Sequence, residues 1–312
     1  MVKKVFIHVC ILVLLLYAIR FFLYTGLKQN EQGLFKKFSV MFLEKNNYDN
    51  LFIGSSRAEC HFNPLIFDSI NGFNSYNIGV SGSNNAFTYA ILKAYLHKSY
   101  PPKQIIFNLD FHFSHESSDT IYEFPRFFPF LENHVLYKEL KKRDPRFFMF
   151  KYFPFFSLPQ MNDKYLNWCI RGYINKPSPY DCSGEKGNLK ISSMEYKNLD
   201  ELDTTHYKGL VLKENLDYLD SIVQLSKKVH ARLILVVSPT FISGINRITN
   251  FPQHIKRFSD FARKNDILFI DYSTDTMCFQ KKWFADFYHM KPEGCDAFTL
   301  KFSQDYKRSN VE

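Results

Sequence analysis

The chain has 312 residues, 46% of them hydrophobic and 18% aromatic, with 34 Phe and 19 Tyr, which excludes a disordered protein and allows one large domain or a domain carrying a sizeable insertion. The formal charge of +9 fits an acidic partner or an anionic membrane surface, but Lys and Arg are scattered and no nucleic-acid-binding signature is present, so nucleic acid is not an expected partner. Cys10, Cys60, Cys169, Cys182, Cys278 and Cys295 show neither CxxC nor zinc-type spacing, so neither a metal nor an organic cofactor is expected; Cys169 and Cys182 are close enough to pair in an oxidising compartment, although isolated buried thiols are the commoner outcome.

Met1 to Lys4 precede Val5 to Tyr24, an almost unbroken apolar stretch interrupted by His8 and Arg20. Twenty helical residues span roughly 30 Å, the thickness of a bilayer's hydrocarbon core, and an arginine near the far end can snorkel to the interface. Bulky residues follow where a signal peptidase would need small ones, so residues 1–25 read as an uncleaved anchor. Lys3 and Lys4 favour a cytoplasmic N-terminus and place the rest of the chain outside, with Arg20 and Lys28 weakening the asymmetry; the competing reading is a buried core helix. Residues 26–48 read as a polar juxtamembrane helix and linker.

Leu51 to Ile53 end a short buried strand at Gly54-Ser55-Ser56, and a helix can begin at Arg57 and run to Asp68. A hydroxyl on such a turn is either a helix cap or a working group, because open α/β folds place their chemistry at the carboxyl ends of strands. A second strand near Ser75 to Ile78 runs into Gly79-Val80-Ser81-Gly82-Ser83-Asn84-Asn85, a helix follows over residues 86–100, and Gln104 to Leu109 form a third strand before Asp110-Phe111-His112. From residue 113 to about 210 the strand–helix rhythm stops. The aromatic, proline-rich runs at 124–130 and 147–156 read as an insertion with its own helices, either lying over the sheet edge that holds the site or forming a satellite core. The rhythm returns with a helix over 211–229, a strand within Ala231 to Pro239, a helix over 253–264, a strand from Ile267 to Ile270, and a last helix from Pro292 towards Tyr306. Alternating strands and helices predict a mainly parallel sheet between helical layers, a three-layer α/β/α sandwich over residues 49–312.

Three turns at strand ends or before the last helix therefore hold Gly54-Ser55-Ser56, Gly82-Ser83-Asn84 and Asp286-Phe287-Tyr288-His289. In this order and context they resemble the blocks of the SGNH (GDSL-like) hydrolase superfamily, whose sheet is flavodoxin-like. The resemblance covers about 49–112 and 230–305 and leaves the insertion outside. It implies Ser56 as nucleophile, Ser55 in the usual Asp position, Gly82 with Ser56 as oxyanion donors, and His289 as base with Asp286 behind it. The chemistry agrees: a serine hydroxyl needs an adjacent base, imidazole titrates in the right range, and a carboxylate can hold the other ring nitrogen. Taken singly, His289 reads as a surface histidine beside a helix start and Asp286 as a turn residue.

The third block departs from the family pattern. Asn108-Leu109-Asp110-Phe111-His112 lacks the usual Gly-x-Asn-Asp form, so the third oxyanion donor is His112, Asn84 or Asn85, or is missing. Arg57 either binds an anionic group or forms a salt bridge with Asp110, the latter being favoured. The resemblance and the anchor together imply a bacterial inner-membrane protein with a periplasmic or extracellular domain that cleaves or transfers acyl, chiefly acetyl, esters of cell-envelope glycans through acyl-Ser56. The alternatives are a lipid or small-ester esterase, or a non-catalytic subunit beside an integral-membrane acyltransferase.

Overall fold

The computed structural model describes residues 1–110, 121–178, 184–191, 196–202, 204–210 and 213–309. In chain order the elements are α1 (Val2–Lys28), α2 (Gly33–Phe42), β1 (Asn50–Gly54), α3 (Ser56–His61), α4 (Pro64–Asn71), β2 (Ser75–Asn77), α5 (Asn85–Leu96), β3 (Gln104–Asn108), α6 (His134–Arg143), α7 (Phe147–Tyr152), α8 (Pro154–Ser157), α9 (Asp163–Tyr173), α10 (Lys213–Lys228), β4 (Arg232–Val237), α11 (Ile242–Asn246), α12 (Phe251–Lys264), β5 (Leu268–Asp271) and α13 (Pro292–Ser309). They fall into two compact units, one of residues 1–44 with 123–181 and the other of residues 45–122 with 182–312.

The second unit is built on a five-stranded sheet in the order β2-β1-β3-β4-β5, every neighbouring pair parallel. Its strand sequences NLFIG, QIIFN and RLILVV are nearly continuous apolar runs because helices cover both faces. Strand alternation sends Phe52, Ile106, Ile234 and Val236 into a core with Phe62, Phe67, Phe298 and Phe302 of the α3–α4 and α13 layer. Leu51, Ile53, Ile105, Phe107 and Leu235 are equally buried towards the opposite layer, where α5 packs on α10. The expected α/β/α sandwich with a parallel sheet is thus the observed architecture.

One expected helix divides. Instead of running from Arg57 to Asp68, the chain leaves α3 after His61 and restarts at Pro64, with Asn63 Oδ1 accepting from Leu65 N at 3.1 Å. A proline at the first helical position lacks only an N–H that would be unsatisfied there, whereas inside a continuing helix it would break the ladder.

The first unit is helical and aromatic. Within it α1 is long and apolar enough to cross a membrane, and extends past the expected residue 25 to Lys28. Asn30 Nδ2 ends it by donating to Gly26 O at 3.1 Å, Leu27 O at 2.9 Å and Trp168 O at 3.0 Å, which ties the last turn to α9. The 26–48 stretch differs from a linker: α2 is buried along Phe35, Phe38, Met41 and Phe42, an apolar stripe at helical spacing. These rings pack against Phe127, Phe130, Tyr165 and Trp168, with Phe38 stacked on Phe127 at a centroid distance of 5.1 Å. The expected insertion is also divided. Its aromatic first half belongs to this unit, whereas the described residues between 184 and 210 pack on the α/β unit, where Lys186 pairs with Asp68 at 2.6 Å and Leu189 N donates to Glu59 O at 2.9 Å.

Candidate active site

The site begins where β1 stops. Gly54 has φ +138°, and a Cβ there would lie 2.8 Å from Asn108 O and 2.9 Å from the Ala58 methyl, so only glycine lets the chain turn this tightly between β3 and α3. The next two serines divide the two roles open to them. Ser55 is buried, caps α3 by accepting from Arg57 N at 3.3 Å, and donates its hydroxyl to Asp110 Oδ2 at 2.6 Å. Ser56 is the first residue of α3 and remains partly open to solvent.

Ser56 Oγ lies 2.8 Å from His289 Nε2, and His289 Nδ1 lies 2.8 Å from Asp286 Oδ2. The carboxylate can only accept, so Nδ1 carries the proton and Nε2 is left to accept from Ser56. Asp286 Oδ1 also accepts from Tyr288 N at 2.7 Å and His289 N at 2.8 Å, closing the turn around the histidine. Burial works to raise the Asp286 pKa, but the hydrogen bond and charge of His289 and the two backbone donors outweigh it and hold the carboxyl below its ordinary value. Three side chains from two ends of the sequence thus form one continuous hydrogen-bonded line.

Beneath this line lies a buried network in which Arg57 has the structural place expected of it, although not as a tight ion pair. Its Nη2 donates to Ser238 O at 2.5 Å and Ser238 Oγ at 3.1 Å, while Nη1 stands 4.0 Å from Asp110 Oδ1. His61 Nε2 accepts from Met290 N at 3.2 Å, which leaves Nδ1–H to donate to Ser238 Oγ at 2.8 Å. Desolvation first, then the nearby charges of Arg57 and His289, push the His61 pKa well below its ordinary value, so the ring is neutral. His61 therefore holds the backbone next to His289 against the helix that carries Ser56.

Glu59, also on α3, accepts from Ser81 N at 2.9 Å and Ser81 Oγ at 2.6 Å. Val80 N donates to Gly54 O at 3.0 Å, and Asn77 Nδ2 donates to Ala58 O at 2.8 Å. These bonds fasten the turn ending at Gly82 to the Ser56 turn. Gly82 has φ +76°, and a Cβ there would come within 2.5 Å of Tyr122, whose side chain lies directly against it. Among the described residues, no backbone carbonyl accepts from the N–H of Ser56 or of Gly82.

Of the other expected oxyanion donors, Asn84 is buried and its Oδ1 caps α5 by accepting from Phe87 N at 2.9 Å. The structure gives it a helix-start role, because the α5 amides need a local acceptor. Asn85 Nδ2 is engaged by Asn215 O at 2.9 Å. His112 lies outside the described residues, as does Cys182, the partner in the less favoured disulfide reading; Cys169 is a buried free thiol. Asn108, from the altered third block, accepts from Ser238 N at 3.1 Å through Oδ1 and bridges the ends of β3 and β4. Among the described residues no group of three or more His, Cys, Asp or Glu could hold a metal ion.

Glu59, His61 and Ser238 were not legible as site residues. Ser238 follows a predicted strand and the other two sit on a predicted helix, with no spacing that sets them apart. Aromatic side chains near the site among the described residues of its own unit include Tyr122, at Gly82, and Tyr288, whose hydroxyl accepts from Arg247 Nη1 at 3.2 Å. Arg247 in turn lies 5.6 Å from the centroid of the Tyr207 ring.

No protein-family model matches the chain, and no curated protein matches it. Among solved structures it is similar to an inferred acylhydrolase from Bacteroides fragilis, at 14% identity and a TM-score of 0.41, over 88% of this chain and 93% of that one. It is also similar to a GDSL-like lipase from Bacteroides thetaiotaomicron, at 13% identity and a TM-score of 0.39, over 83% and 88%. Overlaps this loose leave the chemistry to be read from the side chains themselves.

Proposed function

We propose that this chain is a serine ester hydrolase or acyltransferase of SGNH type, acting through an acyl-Ser56 intermediate. The observation that carries this reading is the Ser56–His289–Asp286 line, with both links at 2.8 Å, at the carboxyl edge of a parallel sheet. In the first half-reaction Ser56 Oγ attacks the acyl carbonyl as His289 Nε2 takes its proton. The tetrahedral oxyanion accepts from the backbone N–H of Ser56 and Gly82, each such donor being worth about 3 kcal/mol. His289 then protonates the leaving alkoxide. Water, or an acceptor hydroxyl, repeats the sequence in reverse and releases the acyl group, while Asp286 keeps the imidazole in its working tautomer and stabilises the imidazolium.

The substrate class is acyl, chiefly acetyl, esters of cell-envelope glycans. Two features support it: α1, long and apolar enough to cross a membrane and carrying Lys3 and Lys4 at the end this reading places in the cytoplasm, and the Tyr122, Tyr207 and Tyr288 side chains near the site, which offer faces and hydroxyls to a sugar. An integral-membrane acyltransferase is a fitting partner for a tethered domain of this kind. Labelling of the full chain with a fluorophosphonate tests the chemistry. Labelling at Ser56 that disappears in Ser56→Ala supports an enzyme, whereas a folded chain that stays unlabelled supports a non-catalytic subunit. A panel of O-acetylated glycans and generic acyl esters separates the glycan reading from a lipid or small-ester esterase.

A further inference from the structure

The helical unit leaves a set of large aromatic side chains in the open. Phe148, Tyr152, Phe153 and Phe156 are each more than two-fifths exposed and Phe155 is 68% exposed, although all five sit on α7, α8 or the residue between them. The same two helices are well anchored from beneath by Phe147, Phe150 and Pro154, which are buried. The exposed rings touch one another, Phe148 with Tyr152 and Phe153, and Phe156 with Phe153 and Phe155, so they leave one contiguous apolar area in water.

Their position along α1 gives the set a meaning. Tyr17 Oη donates to Tyr152 O at 2.6 Å and Arg20 Nη1 donates to Lys151 O at 2.9 Å, so α7 is level with residues 17–20 of the apolar helix. At 1.5 Å per residue those positions lie roughly 18–23 Å from Val5, the first residue after the two lysines, in the half of a hydrocarbon core about 30 Å thick that leads to its far boundary. That boundary is where amphipathic aromatic rings and snorkelling cations are at lowest free energy.

The charges around the rings agree. Residues 134–157 carry Lys138, Lys141, Lys142, Arg143, Arg146 and Lys151 against Glu139 and Asp144. Several of these cations lie over aromatic faces, Lys141 at 5.4 Å from the Phe148 centroid and Lys151 at 4.0 Å from that of Tyr137. A groove of about 480 Å3 between α1 and this region is lined by Arg20, Lys151 and a Lys28–Glu132 pair at 3.1 Å along with Tyr17, Tyr24 and Tyr152, with room and a net positive charge for a lipid headgroup.

We propose that Phe148, Tyr152, Phe153, Phe155 and Phe156 form a membrane-seating surface that lies in the headgroup–acyl boundary of an anionic bilayer beside the emerging end of α1. The proposal rests on the reading of α1 as a membrane span. The surface holds the helical unit down on the bilayer, so the chain is fixed to the lipid by a span and an interfacial patch rather than by a single flexible tether.

The test uses the full chain reconstituted in vesicles of phosphatidylglycerol and phosphatidylethanolamine, with a tryptophan added at one position at a time and its emission compared with that of the parent chain. Phe155→Trp is expected to be quenched by lipids brominated near the head of the acyl chain, Leu12→Trp by lipids brominated near its middle, and Tyr100→Trp, exposed on the other unit, by neither. If Phe155→Trp escapes both lipids while Leu12→Trp is quenched, α1 spans but the seating surface does not exist. Shielding of that same tryptophan from aqueous iodide without lipid quenching assigns the patch to a protein partner and overturns the proposal equally. Loss of quenching at Leu12 as well overturns the span and the surface together.

Discussion

The two units handle their hydrophobic residues in opposite ways. In the α/β unit, aliphatic and aromatic side chains on β1, β3 and β4 are buried on both faces, and each strand is locked to its neighbours in a fixed register, Gly54 opposite Asn108 and Asn108 opposite Val236. Backbone ladders of this kind set the positions of strand ends closely, so the turns beyond them can hold side chains such as Ser56 and His289 at a fixed separation. In the helical unit the contacts are mostly ring on ring, as among Phe35, Phe38, Phe127 and Phe130, and part of the aromatic surface stays exposed. Ring packing is strong but tolerant of geometry, which suits an adhesive surface better than a catalytic one.

The sharpest way to separate the two regions is Ser56→Ala, for which ester turnover is expected to fall by about a million-fold with unchanged unfolding behaviour, as read by steady-state hydrolysis and denaturant titration. Phe127→Ala probes the other side. Removing a fully buried ring that stacks on Phe38 is expected to cost about 3–5 kcal/mol of unfolding free energy. The contrast breaks if Phe127→Ala in a chain that remains folded abolishes turnover as completely as Ser56→Ala does.

Gly82→Ala sharpens the account of the site. The positive φ and the contact with Tyr122 predict a loss of about 1–3 kcal/mol in stability, together with a turnover defect of about tenfold or more as the donor turn shifts. A variant that is both stable and active removes Gly82 from the oxyanion hole.

The smallest expected effect concerns pH. His61 is neutral when folded because burial depresses its pKa, whereas the unfolded chain takes up a proton near the ordinary value of about 6.5. Its contribution to stability is therefore complete above about 6.5 and declines as pH falls below that value, by up to about 1.4 kcal/mol per pH unit, until the folded ring itself titrates. Denaturant midpoints of wild type and His61→Gln measured across mildly acidic pH are expected to converge as pH falls. Parallel profiles would show that His61 is not held neutral between Ser238 and Met290.

Much of this molecule was legible along the chain. The apolar runs at 51–53, 104–109 and within 231–239, separated by helical stretches, specify a parallel sheet because each is long enough only for a buried strand and each gap long enough for a crossover. Gly54-Ser55-Ser56 stood out because an apolar run stops abruptly there, whereas Asp286-Phe287-Tyr288-His289 stood out only through the resemblance to the blocks of the SGNH superfamily in their order along the chain. The helix expected within residues 26–48 is present, but its burial was not legible, since Lys36, Lys37 and Ser39 interrupt the apolar positions around Phe35 and Phe38 and the rings that cover them lie nearly ninety residues further on, as in the stacking of Phe38 with Phe127. The division of the 113–210 stretch was hidden for the same reason: nothing local in Lys186 or Leu189 announces a bond to Asp68 or Glu59.

For the opening turn, the residues alone determined that a serine pair would follow the first strand, and only the family resemblance distinguished Ser56 as nucleophile from Ser55; neither said which side chain would reach Ser55. The tertiary structure decided that, because Asp110 reaches Ser55 and fixes it as the cap while His289 reaches Ser56. It also decided the support beneath them, His61 to Met290 and Glu59 to Ser81. Local sequence specifies dihedral preference and hydrophobic period; the partner of a polar side chain is set by which distant backbone the fold delivers to it, and that is a property of the packed sheet and helices rather than of any stretch of chain.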